Sequence, residues 1–161
     1  MPTSTRRLPI VRTEIEESGG IAVAETVDVS RSQDAERFVR RAVKTSGRFD
    51  VLVNNAGIHD QAPFWEEPLS LSDRMYRVNV LGTVLPSQTV VRHMKDHGGG
   101  AIVQVASKAG VVGEPGHAAT PLDRLGNPTD IAEAVLYLAS GERARCTGQA
   151  PNVDGGLSIL K

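Results

Sequence analysis

Residues 51–57, Val-Leu-Val-Asn-Asn-Ala-Gly, constrain the fold of this chain more than any other stretch. Three apolar residues after Asp50 suit a strand of a parallel sheet that is covered on both faces. Asn54, Asn55, Ala56 and Gly57 then place amides and a small backbone at its carboxyl end, where sheets of this kind meet their ligands. A second buried strand is expected over 101–105, Ala-Ile-Val-Gln-Val, after the glycine run 98–100. Between and around these strands the apolar residues recur at helical spacing. Phe38, Val39, Ala42 and Val43 mark a helix capped by Ser30 and ended by Gly47. Met75, Val78, Leu81 and Leu85 mark a longer one capped by Ser70, with Asp73 in its first turn and Pro86 expected to kink it. Asn127-Pro128-Thr129-Asp130 opens a further helix with a cap, a first-turn proline and a first-turn acid; its inner face is Ile131, Val135 and Leu138.

Two more strands are expected, one from Ile21 to Val29 on its β-branched residues, the other over 149–153 before a turn at Gly155-Gly156. A short helix over 11–18, stopped by Gly19-Gly20, comes first. The alternation of helices and strands predicts an α/β fold, a three-layer Rossmann-like parallel sheet of about four strands with flanking helices, in one domain over residues 1–161.

Bulk properties narrow the classes of function. A formal charge of −1 leaves no basic surface of the kind that nucleic acid or anionic membrane demands. No apolar run approaches bilayer length. Cys146 is the single cysteine, so no internal disulfide forms, which fits a reducing compartment; residues 1–7 lack the apolar core of a secretory signal, and a cytoplasmic protein is expected. His59, His93, His97 and His117 are scattered, and no metal site is expected.

The block Asn54-Asn55-Ala56-Gly57 resembles a signature of the short-chain dehydrogenases/reductases. Val27-Asp28-Val29, Asn79-Val80 with Gly82, Ala106-Ser107 with Gly110, and the tail from Thr147-Gly148-Gln149 to Val153-Asp154-Gly155-Gly156 resemble others, in the same order. Asp28 and Asn55 lie 27 positions apart, Asn55 and Asn79 lie 24, and Asn79 and Ser107 lie 28, which agrees with the family's spacing. The resemblance implies an NAD(P)-dependent oxidoreductase that moves a hydride between nicotinamide and an alcohol or carbonyl carbon. It implies that Asp28 and Val29 lie against the adenine, and that Asn55, Ala56 and Gly57 border the adenosine ribose. It implies that Asn79 supports a proton-relay water and that Ser107 hydrogen-bonds the substrate carbonyl or hydroxyl. Whether NAD or NADP is preferred is not readable, because the residue that chooses normally ends a strand with no counterpart here.

Two departures bear on activity. The family's catalytic tyrosine falls on Thr120, after His117-Ala118-Ala119, and the next residues, from Pro121 to Pro128, resemble a segment that normally follows a further helix and strand. Tyr76 and Tyr137 have no lysine four positions on, and Lys108 beside Ser107 cannot replace it, since adjacent residues do not face one another. No glycine-rich turn opens a helix anywhere in the chain, so nothing aims helix amides at a pyrophosphate. Three readings follow: an oxidoreductase acting on a small alcohol or carbonyl substrate, a non-catalytic interaction subunit oligomerising with related chains, or a decayed fragment. For the chain as written, negligible hydride transfer and weak dinucleotide binding are expected.

Overall fold

The computed structural model describes residues 4–59, 63, 65–107, 121–122, 124, 126–143 and 145–159. The sequence expectations at Lys108, Gly110 and His117 to Thr120 lie outside them. The chain divides into two compact units, Met1–Phe49 with Ala56–Gly99, and Asp50–Asn55 with Gly100–Lys161.

The first unit is helical. Helix α1 spans Ser4–Glu17 with Pro9 inside it, longer than its sequence predicts, and residues 9–17 are all exposed. Helix α2 spans Ser32–Ser46 and buries Ala35 and Val39, one turn apart, against helix α4 over Gly82–Asp96. Its end is as expected: Gly47 takes φ 77° and donates its N–H to the carbonyl of Val43, closing the last turn in a conformation that a Cβ disfavours. Phe49, just beyond, packs edge to face on Phe38 with ring centroids 5.9 Å apart. Its start differs from the expectation. Arg31, not Ser30, is the capping position, and the Ser30 hydroxyl turns back to donate to the Asp28 carboxylate.

Helix α3, Leu69–Met75, follows Pro68, so Ser70 lies within the helix and caps nothing. It runs into a wide π-helical turn, Tyr76–Leu81, and then into α4. Met75, Val78, Leu81 and Leu85 are only half-buried; the buried line of α4 is Gly82, Pro86, Val90 and Met94, a ridge of residues four apart. The helix continues through Pro86, and the departure from α geometry lies upstream of it. The helix ends at Asp96, followed by Gly98 and Gly99 at positive φ, where the glycine run was expected to end it.

The second unit holds the sheet. Strands β1, Val51–Asn54, and β2, Ala101–Gln104, pair in parallel with Val51 opposite Ala101 and Asn54 opposite Gln104. Further bonds at each end, Ala101 N–H to Asp50 O and Val105 N–H to Asn54 O, extend the ladder. Leu52, Asn54, Ala101 and Val103 are buried. Helix α5, Pro128–Ala139, packs along β2. It begins as the sequence predicts, with Asn127 before it and the Asp130 carboxylate accepting the Asn127 N–H at 2.7 Å. Of its expected inner face, Val135 and Leu138 are half-buried and Ile131 is exposed.

The expected sheet of about four strands is corrected: among the described residues it has two. A strand exists only through a partner ladder, and the two other apolar segments have none. The segment from Ile21 to Val29 is instead held to α2 through side chains. Glu25 pairs with Arg37 at 2.7 Å and with Arg41 at 3.7 Å, and Arg37 also donates to the carbonyl of Thr26. Residues 149–153 form no strand either; the turn beyond them is built on Asp154, whose carboxylate accepts the backbone N–H groups of Gly156 and Ser158 and the Ser158 hydroxyl.

Candidate functional site

Of the residues singled out in the sequence, Asn79 is exposed yet tied through its side chain to the loop after β1. It sits in the π-helical turn, where backbone carbonyls are not matched in the α pattern, a feature that recurs at functional sites. Its side-chain amide meets the backbone of one residue twice: Nδ2 donates to the Ile58 carbonyl and Oδ1 accepts the Ile58 N–H, each at 2.9 Å. The Asn79 carbonyl accepts the Thr83 hydroxyl. Gly57 lies directly beside this clamp, since a Cβ there would stand 3.5 Å from Asn79 Oδ1. The loop after β1 is therefore fastened to the π turn at Gly57-Ile58. Ile58 itself was not singled out from the sequence; its signal is its place directly after the Asn-Asn-Ala-Gly block, where a loop backbone needs partners.

Asp28 and Val29 belong to the same unit. The Asp28 carboxylate accepts the Ser30 N–H at 3.0 Å and its hydroxyl at 2.6 Å, while the Asp28 N–H donates to Asp34 and the Asp28 carbonyl accepts the Arg31 N–H. That backbone bond, with Arg37 next to it, holds the Asp34 carboxyl below the usual carboxylate range. Asp28 is exposed and Val29 half-buried. The Val29 side chain fits against Gly82, where a Cβ would come within 2.6 Å of Val29 Cγ2.

Asn55 and Ser107 belong to the other unit, and both are exposed. Asn55, with Val53, Val105 and the α5 residues Ile131, Val135 and Leu136, lines a largely apolar groove of about 600 Å³. Ser107 lies three residues beyond the end of β2. Ala56, at the start of the loop, is exposed in the first unit. The structure thus joins Gly57 to Asn79, and Val29 to the helix that follows Asn79.

Groups with shifted acidity stand elsewhere. Arg124 reaches Asp130 through its two terminal guanidinium nitrogens at 2.7 and 2.8 Å, and this pair, with the Asn127 N–H, holds the Asp130 carboxyl far below its ordinary range. The Tyr137 phenol is pushed up, first by its contact with the Cys146 sulfur at 4.0 Å and then by charge on that thiol. A tyrosine that is to release or take up a proton near neutrality needs the opposite shift. Among the described residues no three His, Cys, Asp or Glu side chains gather as metal ligands, and no helix is long and apolar enough to cross a membrane.

Within the first unit a carboxylate and small residues stand at 28–29 and 56–57, and the sequence has no glycine-rich turn opening a helix. The model of the family described as short chain dehydrogenase matches residues 3–119, and one described as enoyl-(acyl carrier protein) reductase matches residues 114–158. The L-rhamnose 1-dehydrogenase (NAD(P)(+)) of Sphingomonas sp. (strain SKA58) is 31% identical over 202 residues, covering 91% of this chain and 80% of that protein. That span exceeds the 161 residues of this chain, so the alignment opens gaps opposite residues of the relative. The 3-oxoacyl-[acyl-carrier-protein] reductase of Thermotoga maritima is 28% identical, covering 83% of this chain and 76% of that protein. Among solved structures, a 7α-hydroxysteroid dehydrogenase in complex with NADH and 7-oxo glycochenodeoxycholic acid superposes with a TM-score of 0.87 at 26% identity, covering 94% of this chain and 80% of that one.

Proposed function

Because the chain belongs to the short-chain dehydrogenase/reductase family, whose members are NAD(P)-dependent oxidoreductases with a Rossmann-like α/β fold, we propose that it is a member that keeps adenosine-side contacts but performs no hydride transfer as the 161-residue chain. The observation that carries this reading is the proton donor. Neither tyrosine is followed four positions on by lysine: Val80 follows Tyr76 and Gly141 follows Tyr137. Hydride transfer to a carbonyl leaves an alkoxide that must be protonated as it forms, and the group that does so has to titrate near neutrality. The hydroxyl of Thr120 lacks that acidity, and the Tyr137 phenol is shifted away from it. Ser107 can still hold a carbonyl or hydroxyl oxygen, and Asn79, with its side chain committed to Ile58, fastens the loop that borders the ribose.

Weak binding of NADH or NADPH follows from the same residues. Asp28, Val29, Asn55, Ala56 and Gly57 are the residues that would contact the adenosine, while the sequence offers no glycine-rich turn opening a helix for the pyrophosphate, the most charged part of the ligand. Mixing the purified chain with NADH or NADPH and a panel of sugar lactones, 3-oxoacyl thioesters and steroid ketones should give no oxidation above the protein-free rate. Turnover that vanishes in Ser107→Ala would overturn the reading. Titration with either nucleotide should show a dissociation constant on the order of a millimolar, about 4 kcal/mol of binding free energy; tight saturable binding would sink that part.

A second reading, an interaction subunit that pairs with a longer relative, is supported by the apolar groove between β1, β2 and α5 in the second unit. Co-expression with a relative carrying the full Tyr-x-x-x-Lys segment should then yield a co-purifying pair. Separate elution of the two would count against it.

A further inference from the structure

We propose that Gly82 is a positioning residue of the nucleotide site: by carrying no side chain, it lets Val29 seat against the start of α4 and so fixes the Asp28-Val29 wall. The inference rests on the adenosine-side reading above. Gly82 is buried and helical, with φ −63° and ψ −16°, so its conformation asks for no glycine. The space asks for it. A Cβ at 82 would stand 2.6 Å from Val29 Cγ2 and 3.2 Å from Val29 Cβ. The first contact is the prohibitive one, and valine is stiff at χ1, so Cγ2 does not swing clear freely; the second is tight but asks for a shift of only a few tenths of an ångström. With χ1 held, relief of the Cγ2 contact falls on the Val29 backbone or on the start of α4.

The Val29 backbone is poorly placed to give way harmlessly. Asp28 on one side is bonded at its N–H, its carbonyl and its carboxylate, to Asp34, Arg31 and Ser30 in turn. Asp34 and Arg31 stand at the start of α2. A push on Val29 thus reaches the Asp28 carboxylate and the first turn of α2 together. At the other end, Gly82 directly follows the π turn that carries Asn79 and, through it, Ile58. One glycine ties the adenine-side wall to the ribose-side loop.

The test is Gly82→Ala alone and in a Val29→Ala background, read by NADH titration and by backbone amide exchange at Ser30 and Arg31, the two N–H groups that Asp28 holds. Gly82→Ala should weaken NADH affinity and speed exchange at both amides, each by about tenfold, as expected for an overpacked contact. In the Val29→Ala background the same change should cost less than about twofold, because the obstructing methyls are gone. Absence of any NADH binding by the unaltered chain would remove the functional reading and leave this inference to be judged by the exchange rates alone. Unchanged exchange in Gly82→Ala, or an equal acceleration in the Val29→Ala background, would overturn it.

Discussion

Asn79 shows how a single side chain can stand in for a missing strand. Its amide presents a donor and an acceptor side by side, as the N–H and C=O of a single strand residue do, so it pairs with Ile58 as one strand residue pairs with another. Asn79→Ala should lower unfolding free energy in urea by about 1 kcal/mol, a typical net value for exposed hydrogen bonds, and should speed exchange of the Ile58 amide. Asn79→Asp should cost more near neutral pH, because it sets a carboxylate oxygen against the Ile58 carbonyl. Asp130 carries the pH dependence. Its carboxyl is held down by Arg124, so its contribution is complete above the unfolded carboxylate range, near pH 4, and is lost as pH falls below it toward the lowered value. In thermal melts Asp130→Asn should therefore be less stable than the parent at pH 7, with the difference narrowing steadily below about pH 4. At this scale the sequence was half legible. Asn79 stood out by its signature and Asp130 by its place three residues after a cap, but their partners did not, because Ile58 bonds through its backbone and Arg124 reaches across from a loop with no fixed spacing.

Helix ends were easier to read than strands, for a physical reason. An end is a local event: Gly47 closes α2 in a left-handed conformation, and Asn127 with Asp130 opens α5, using atoms within a few residues. Gly47→Ala should accordingly cost about 1 kcal/mol and leave the fold unchanged, visible as a lowered melting temperature with the same far-ultraviolet spectrum. The starts at Ser30 and Ser70 were misread because several residues in each region can cap, and the choice falls to contacts elsewhere; the Ser30 hydroxyl serves Asp28 instead. A strand depends on a distant partner. Ile21 to Val29 has the composition of one and remains unpaired, while β1 and β2 pair because each meets the other. Nothing in Tyr-Arg-Val-Asn-Val-Leu announces a π turn, since its residues have ordinary α propensity.

For the molecule as a whole, the two-stranded sheet sets the behaviour in solution. Among the described residues each strand has one partner strand and so one edge with no strand on it, and Val53 is 41% exposed. Edges of this kind recruit other chains. The protein should self-associate as its concentration rises, and Val53→Lys should reduce the light scattering; scattering that is the same in both would argue that the edges are covered. The fold class was legible because a short apolar run ending in polar amides and a glycine suits the carboxyl end of a parallel strand, while the number of strands was not, since that depends on which ladders close. The register of the sheet carries one more implication. Val51 pairs with Ala101, fifty positions later, so during synthesis at roughly 5–20 residues per second β1 leaves the ribosome several seconds before its partner exists. For that interval Leu52 and Val53 are an apolar strand with nothing to pair with, and the yield of folded chain in the cell is then decided by what reaches them first, their own β2 or a neighbouring nascent chain.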